Sequence, residues 1–232
     1  AAHCVGRGEG NVPAELDPQR EFTGKNILAQ RQSITATAQA LHLDPEHLNQ
    51  QLIEVLEKLR LARAQRPRPH LDHKIITSWN GLMISALAQA HVALERATGE
   101  GQTRYLDAAL AAARFLQRHL YDPARGVLYR TYGTARGESE GFAEDYAGLI
   151  AGLLDLYEAT YDEAWLRWAA QLQATMDLHF WDTDRGGYFS AAATDPHLVL
   201  RLKDDYDGAE PAPSSVAAGN LLRLGDWLQQ EE

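Results

Sequence analysis

The chain has 232 residues, 45% of them hydrophobic and 23% charged, which is typical of a globular protein and excludes a disordered one. Its 22 basic and 32 acidic residues leave a formal net charge of −10, which disfavours nucleic acid and anionic lipid as partners. Because no apolar run is long enough to span a membrane and no secretory signal pattern is present, we expect a cytoplasmic protein.

Residues 1–69 are predicted to form a loop followed by a helical hairpin. Glycines and prolines are frequent in the first part, which favours an extended loop. Ser33 can cap a short helix that ends near Leu41, and Asp44 precedes a proline at the first position of a second helix, which continues to about Ala64. Apolar residues recur in that second helix at spacings of three and four, so we expect one of its faces to pack.

The rest of the chain repeats itself. Residues 79–87 return in character at 145–153, a shift of 66 residues, and again at 214–222. A partner segment at 105–129 returns at 165–189, a shift of 60 residues. Each unit reads as a helix, a second helix and an aromatic hairpin. Units of this kind bury their apolar faces only by stacking on their neighbours.

The two helices of each unit differ in their surface pattern. Residues 81–90 and 147–156 are apolar around most of the helix, whereas 104–118 and 164–177 keep charge on one face. One helix of each pair is therefore predicted to lie inside and the other outside. We predict that residues 70–232 form a mainly α fold, about half of an (α/α)6 toroid, with short β-hairpins at its rim. A flat superhelix of helix pairs is the alternative, although its helices are usually amphipathic in both layers.

Small residues are frequent on the predicted inner helices, with Gly81, Gly148, Gly152 and Gly219 among them. We expect them to allow close helix packing, without a further role in function. The chain starts without a methionine and stops inside a predicted repeat, so we expect it to be a fragment of a longer protein.

The loops before the inner helices carry most of the side chains that could perform chemistry. Inner helices begin where free N–H groups and the helix dipole favour polar or anionic ligands. Carboxylates and aromatic rings that converge at one end of the ring are typical of sugar sites. Aromatic rings stack on pyranose rings, and carboxylates serve as general acid, general base or acceptor of sugar hydroxyl groups. Taken singly, however, Glu144, Asp145 and Asp205 are more simply explained as helix caps.

Metal and cofactor sites are not predicted. The segment His70-Leu71-Asp72-His73 matches no zinc spacing, and Asp204 to Gly208 lacks the further ligands of a calcium loop. The single cysteine, Cys4, excludes an internal disulfide and a thiolate cluster.

Several segments closely resemble one family. The resemblance is carried by residues 66–72 (RPRPHLD), 77–84 (TSWNGLMI), 144–147 (EDYA), 152–159 (GLLDLYEA) and 203–211 (KDDYDGAEP). These segments are similar to the spermatogenesis-associated, thioredoxin-domain proteins that include bacterial YyaL. The departures are small: His73 stands where an acidic or small residue is expected, and Ala212-Pro213 is more rigid than the usual pair.

The resemblance implies a fold and a domain arrangement. It implies a six-hairpin α/α toroid similar to N-acylglucosamine 2-epimerase and cellobiose epimerase, preceded by a thioredoxin-like domain that this chain lacks. That domain would be an intramolecular partner in the longer protein. The resemblance does not establish a reaction, and carbohydrate metabolism follows from likeness of fold alone.

Two hypotheses follow. The first is a sugar-active toroid, either an epimerase or isomerase or a glycosidase, acting on a small-molecule sugar without a cofactor. The predicted catalytic residues are Asp72, Glu144, Asp145, Asp207 and Glu210, and the predicted substrate-binding residues are His70, Lys74, Trp79, Asn80, Tyr146, Asp205 and Ser214. Trp79 and Tyr146 would provide the stacking surface. The second hypothesis is a non-catalytic toroid that docks a partner or regulates the attached thioredoxin-like domain.

Overall fold

The computed structural model describes three stretches of the chain: residues 10–99, 103–194 and 198–228. The chain divides into two compact units, with the boundary between Leu71 and Asp72. Cys4 and the N-terminal part of the predicted loop lie outside the described residues. No helix in these stretches combines the length and the apolar character needed to cross a membrane.

The first unit holds a short 3-10 turn and two helices: Ala14–Leu16, α1 at Ile34–Leu41 and α2 at Pro45–Ala64. The Ser33 hydroxyl accepts the N–H of Ala36 at 3.1 Å, and the Asp44 carboxylate accepts the N–H of His47 at 2.9 Å. Each bond satisfies one of the free donors in the first turn of its helix. Both predicted helix starts are therefore confirmed.

The apolar face of α2 packs less than its periodicity predicts. Leu48 is buried, but Val55, Leu56 and Leu59 are 49%, 53% and 44% exposed. The reason is the length of its partner, because α1 has only 8 residues and cannot cover a helix of 20.

The second unit holds five helices and four two-residue strands in the described residues: β1 at Ile75–Ile76, α3 at Thr77–Thr98, α4 at Thr103–His119, β2 at Tyr121–Asp122, β3 at Val127–Leu128, β4 at Thr131–Tyr132, α5 at Ala143–Thr160, α6 at Glu163–Phe180 and α7 at Pro213–Leu228. Helix α5 lies between α3 and α7 and contacts both, while α4 packs on α3 and α6 packs on α5. Buried residues surround most of α5, whereas α4 and α6 keep an exposed face. The predicted inner position is confirmed for α5, whereas α3 keeps Leu82, Met83 and Ala86 exposed.

Short antiparallel pairings stand at the ends of the outer helices. β2 pairs with β3, with Tyr121 opposite Leu128, and the corresponding place in the next repeat is a single bridge between Trp181 and Tyr188. The chain that leaves the first hairpin returns as β4 to pair with β1. This return places the segment between β3 and β4 beside the start of α3, which positions the candidate site.

The inner helices α3 and α5 approach each other at their glycines. A Cβ atom on Gly81 would stand 2.4 Å from the carbonyl carbon of Gly148, and one on Gly152 would stand 2.5 Å from the carbonyl oxygen of Gly81. Backbones this close leave no room for a side chain. The predicted close packing is confirmed for this pair of helices. It is not confirmed at Gly219 of α7, where no described atom lies within 4 Å of the added Cβ.

The aromatic residues of α6 belong to the core. Trp165, Trp168 and Phe180 are 5%, 3% and 1% exposed. They pack with the leucines of α5 in one apolar cluster. The large area that they bury makes core packing their role. Trp181, which follows the helix, is 42% exposed and is not part of this cluster.

Candidate functional site

The N-terminal ends of α3, α5 and α7 meet at a shallow pocket. Its lining includes Ser78 of α3, Glu144 of α5 and Glu210 from the segment before α7. The pocket volume is about 20 Å³, which is room for about one water molecule. A ligand of any size would therefore lie across the pocket rather than inside it. Two of the five predicted catalytic carboxylates are brought together here.

An exposed aromatic ring stands at the same place. The indole N–H of Trp79 donates to Oε1 of Glu210 at 2.9 Å, and the Trp79 side chain remains 55% exposed. The bond orients the carboxylate and leaves ring surface open to solvent. Leu82 and Met83, on the next turn of α3, are also exposed. Trp79 therefore occupies a position suited to the stacking role that the sequence predicts for it.

A cation holds the second carboxylate of the pocket. Nη1 of Arg130 lies 2.6 Å from Oε1 of Glu144 and 3.1 Å from Oδ2 of Asp145. The guanidinium also lies over the ring of Phe142, 4.8 Å from its centroid. Partial burial acts to lower the pKa of Arg130, but the two carboxylates outweigh it and raise that pKa. The side chain of Glu144 is thus fixed in place from one side.

Asp145 is a junction between two inner helices. It is fully buried, and its oxygens accept the N–H groups of Ser78 and Phe142, each at 2.9 Å, besides the Arg130 contact. Burial raises the pKa of Asp145, and these hydrogen bonds and the cation oppose the rise. The carboxylate caps α5 and ties the first turn of α3 to it. This position differs from that expected of a general acid or base, because no oxygen faces solvent.

Tyr146 also departs from its predicted position. Its side chain is 2% exposed, its hydroxyl accepts the N–H of Leu128 at 3.0 Å, and its ring packs against Phe180 with centroids 5.4 Å apart. Burial raises the pKa of Tyr146 to about 12. The sequence repeat aligns Tyr146 with Asn80. It does not predict that the Tyr146 ring points into the core. Of the two predicted stacking residues, Trp79 alone presents its ring.

Asp207 and Ser214 order the start of α7. Asp207 accepts the N–H of Ala212 at 2.8 Å and the hydroxyl of Ser215 at 3.1 Å. The Ser214 hydroxyl accepts the N–H of Tyr188 at 3.1 Å. These bonds shape the segment that carries Glu210, so both residues support the pocket without lining it.

The predicted residues around the start of α3 form local contacts of their own. Asp72 accepts the backbone N–H of Lys74 at 3.1 Å and forms an exposed ion pair with its ammonium group at 3.1 Å. These hydrogen bonds lower the pKa of Asp72. The side-chain amide of Asn80 donates to the carbonyl of Ile76 at 2.9 Å. None of these side chains lines the pocket.

Two further predicted residues, His70 and Asp205, are exposed. His70 belongs to the first unit, where it is exposed. Asp205 is exposed and does not line the pocket. Within the described stretches, no group of three or more histidine, cysteine, aspartate or glutamate side chains is arranged to hold a metal ion.

The sequence did not indicate Arg130 as part of the site. Arg130 follows the first hairpin. At the equivalent position after the second hairpin the residue is Ser190, so the repeat offers no counterpart to Arg130. One signal was present: the adjacent acids Glu144 and Asp145 open an apolar helix, and a carboxylate buried there needs a cation. The sequence could not say which of the cations would supply it.

Comparison with known proteins finds homologues of this chain. No family model matches it. It is 46% identical over 236 residues to spermatogenesis-associated protein 20 of Homo sapiens, an alignment that covers 95% of this chain. Over this segment, the chain is homologous to spermatogenesis-associated protein 20. It is also 40% identical over 231 residues to uncharacterized protein B0495.5 of Caenorhabditis elegans, covering 96% of this chain. The predicted family resemblance is confirmed, and the chain spans 29–30% of the length of these relatives.

Solved structures show the fold. The cellobiose 2-epimerase of Bacillus thermoamylovorans matches with a TM-score of 0.56 and 16% identity, over 71% of this chain and 42% of that protein. A family 105 glycoside hydrolase of C. acetobutylicum matches with a TM-score of 0.53 and 13% identity, over 85% and 56%. Both are α/α toroids, so the predicted fold class is confirmed. At these identities the likeness concerns the fold alone.

Proposed function

We propose that this chain forms part of a carbohydrate-active enzyme whose substrate lies across the N-terminal ends of α3, α5 and α7. One observation carries the proposal: Glu144 and Glu210 line a single pocket although 66 residues separate them in sequence. Trp79, bonded to Glu210, offers an exposed aromatic face beside them. The names of the two structural neighbours, an epimerase of cellobiose and a glycoside hydrolase, support a sugar as the substrate class.

Hydrolysis of a glycosidic bond fits this pocket better than epimerisation. Hydrolysis needs two carboxylates on either side of the bond, whereas removal of a carbon-bound proton is best served by a histidine base. Among the described residues, those lining the pocket include two glutamates and no histidine. Epimerisation is the second reaction class, and the assay below detects both.

The surroundings of the two glutamates suggest different roles. Glu144 lies 2.6 Å from the Arg130 guanidinium, which stabilises negative charge on it and suits a base or nucleophile. Glu210 accepts the uncharged indole N–H and has no cationic partner in the described part of the chain, so the remaining role, that of the acid, is assigned to it. Trp79 would stack on the sugar ring and hold Glu210 at the same time.

Substitution of the two glutamates in the intact protein tests the proposal. We expect Glu210→Gln and Glu144→Gln to lower kcat about 10²- to 10⁴-fold, the usual contribution of a general acid or base. Trp79→Ala should raise KM and lower kcat together. Release of reducing sugar from a panel of aryl glycosides and disaccharides measures hydrolysis, and proton NMR of the same mixtures detects epimerisation.

The matched control is Asp107→Asn on the outer helix α4, where the carboxylate is exposed. It also exchanges one carboxylate for an amide but lies outside the pocket lining. It should retain full activity. Wild-type turnover in both glutamate variants would contradict the proposal, as would the absence of turnover on every sugar of the panel.

One observation favours the second hypothesis, a non-catalytic toroid that docks a partner or regulates a thioredoxin-like domain. All five predicted catalytic carboxylates already contact groups of the protein, as described above. Such saturation is typical of carboxylates that hold loops in place. Co-elution of a stoichiometric protein partner with the intact protein, together with no heat of binding for the sugar panel, would support this function instead.

A further inference from the structure

A second and much larger cavity lies at the other end of the inner helices. The C-terminal halves of α3, α5 and α7 line a cleft of about 630 Å³, within the range of about 300–1,000 Å³ that small-molecule sites occupy. None of the residues predicted from the sequence lines it. Its lining belongs entirely to the second unit.

The floor of the cleft is a fixed polar network. Asp155 is 7% exposed and accepts Nη2 of Arg223 at 2.7 Å on one oxygen. Its other oxygen accepts the Gln89 amide at 2.9 Å and the Ser85 hydroxyl. The network joins all three inner helices, so the groups that face the cleft are already oriented before a ligand arrives.

The formal charges around the cleft cancel. Two cations, Arg96 and Arg223, and two carboxylates, Asp155 and Glu158, are its charged lining residues. Arg223 is also shared between both carboxylates, since its Nη2 lies 3.0 Å from Oε1 of Glu158. An anionic or cationic ligand would meet as much repulsion as attraction here. A neutral ligand with many hydroxyl groups would meet donors and acceptors of both kinds.

Aromatic rings form one wall of the cleft. Tyr157 packs edge-on against Trp227, with centroids 5.2 Å apart, and Tyr161 continues the row at 6.4 Å from Tyr157. Tyr161 is 81% exposed. Ring faces of this kind stack on the apolar faces of sugar rings.

The backbone of Tyr161 is strained in a way that favours a functional role for its side chain. It ends α5 with φ 56° and ψ 21°, in the left-handed region. Glycine is the usual residue there, and a bulky side chain is an outlier. An exposed tyrosine kept at a helix end where glycine would be more stable is consistent with a ring that contacts a ligand.

We propose that this cleft binds an uncharged saccharide, with a sugar ring stacked on Tyr161 and hydroxyl groups bonded to Gln89, Arg96 and Glu158. The site is separate from the pocket at the N-terminal ends of the same helices. It does not depend on catalysis there, and it would hold a second sugar unit or a second molecule.

Two substitutions in the intact protein test the cleft. Tyr161→Gly removes the ring and places the preferred residue at a left-handed helix end, so the melting temperature should stay equal or rise. Arg96→Gln removes one proposed hydrogen-bond donor. Glucose, cellobiose and N-acetylglucosamine are the neutral probes, and glucuronate is the anionic one, all titrated by calorimetry. We expect at least one neutral probe to bind, and Tyr161→Gly to weaken it about tenfold.

The control for the backbone change is His42→Gly. His42 ends α1 in the same left-handed conformation, with φ 54°, and lies outside the cleft lining. It should leave the affinity of the probe unchanged. Trp79→Ala separates this site from the proposed catalytic pocket, because it should not affect binding in the cleft.

Three results would overturn the inference. One is that no neutral probe binds, or that glucuronate alone does. Another is that Tyr161→Gly and Arg96→Gln both bind as the wild type does. The third is that Trp79→Ala alone abolishes binding, which would leave the proposed function standing and remove the second site.

Discussion

Asp145 is completely buried and accepts hydrogen bonds from three donors. Its expected role is therefore to stabilise the fold rather than to take part in catalysis. Its partners are Ser78 at the start of α3, Phe142 just before α5 and Arg130 between β3 and β4. A neutral amide at this position keeps one acceptor oxygen but cannot accept at both of its ends.

We expect Asp145→Asn to lower the free energy of unfolding by about 2–4 kcal/mol, because buried donors lose their acceptor and Arg130 loses part of its pair. Urea unfolding at pH 7 measures the change. Asp107→Asn, an exposed residue of α4, should change stability by less than about 0.5 kcal/mol. Equal stability of the wild type and Asp145→Asn would show that this carboxylate does not join the helices.

The raised pKa of Tyr146 predicts a loss of stability in alkali. The phenol ionises near pH 10 in the unfolded chain and at about 12 in the folded one, so the folded state retains the proton longer. The contribution of this phenol to the free energy of unfolding is fully present below pH 10. It falls by about 2–3 kcal/mol in all as the pH rises from 10 to 12.

Tyr146→Phe should remove this part of the pH dependence, although it also costs the bond from the Leu128 N–H. The slope of unfolding free energy against pH, from pH 9 to 11.5, distinguishes the two effects. Tyr206→Phe is the control, because Tyr206 is 76% exposed. An unchanged alkaline slope in Tyr146→Phe would mean that the phenol is not held neutral by burial.

At the scale of elements, the contact between α3 and α5 depends on glycine. Gly81 and Gly148 allow the two backbones to touch, and the contact sets the distance between two of the helix ends that form the pocket. A methyl group at residue 81 would have to push the helices apart, because the atoms that it meets belong to the backbone.

Gly81→Ala is therefore expected to destabilise the chain by about 2–3 kcal/mol through overpacking. Gly219→Ala is the matched change on α7, where the added methyl meets no described atom, and it should stabilise by about 0.5–1 kcal/mol through helix propensity. Thermal unfolding of both variants in the intact protein gives the comparison. A shift of the same sign in both would contradict close packing as the role of Gly81.

The sequence predicted elements better than it predicted side-chain directions. Helix starts at Ser33 and Asp44, and the order of inner and outer helices, follow from local capping and from apolar periodicity, both of which are local properties. The donors to Asp145 lie 3, 15 and 67 residues away. Two of these three partners are set by tertiary packing, which periodicity does not encode. The same holds for Tyr146, whose inward ring depends on a contact with the first hairpin.

The structure brings some of the predicted site residues together and leaves others apart, for a physical reason. The repeat predicts that the starts of α3, α5 and α7 lie side by side, and they do. It does not predict which side chain of each loop turns toward the shared pocket. Glu144 and Glu210 do so, while Asp145 and Asp207 turn to backbone N–H groups.

For the whole molecule, the inner helices present different chemistry at their two ends. Their N-terminal ends carry two carboxylates and an exposed indole over a small pocket, and their C-terminal ends surround a larger cleft whose charges balance. Because the packed core of α5 lies between these ends, we expect binding at one proposed site to leave the other undisturbed.

A crystal structure of the intact Glu210→Gln protein, soaked with the saccharide that the wild type turns over fastest, tests the central claim most directly. We predict a sugar ring stacked on Trp79, with its glycosidic oxygen within hydrogen-bond distance of residue 210 and with Glu144 on the opposite face. A sugar bound elsewhere, with the pocket at the starts of α3, α5 and α7 left free, would contradict the account.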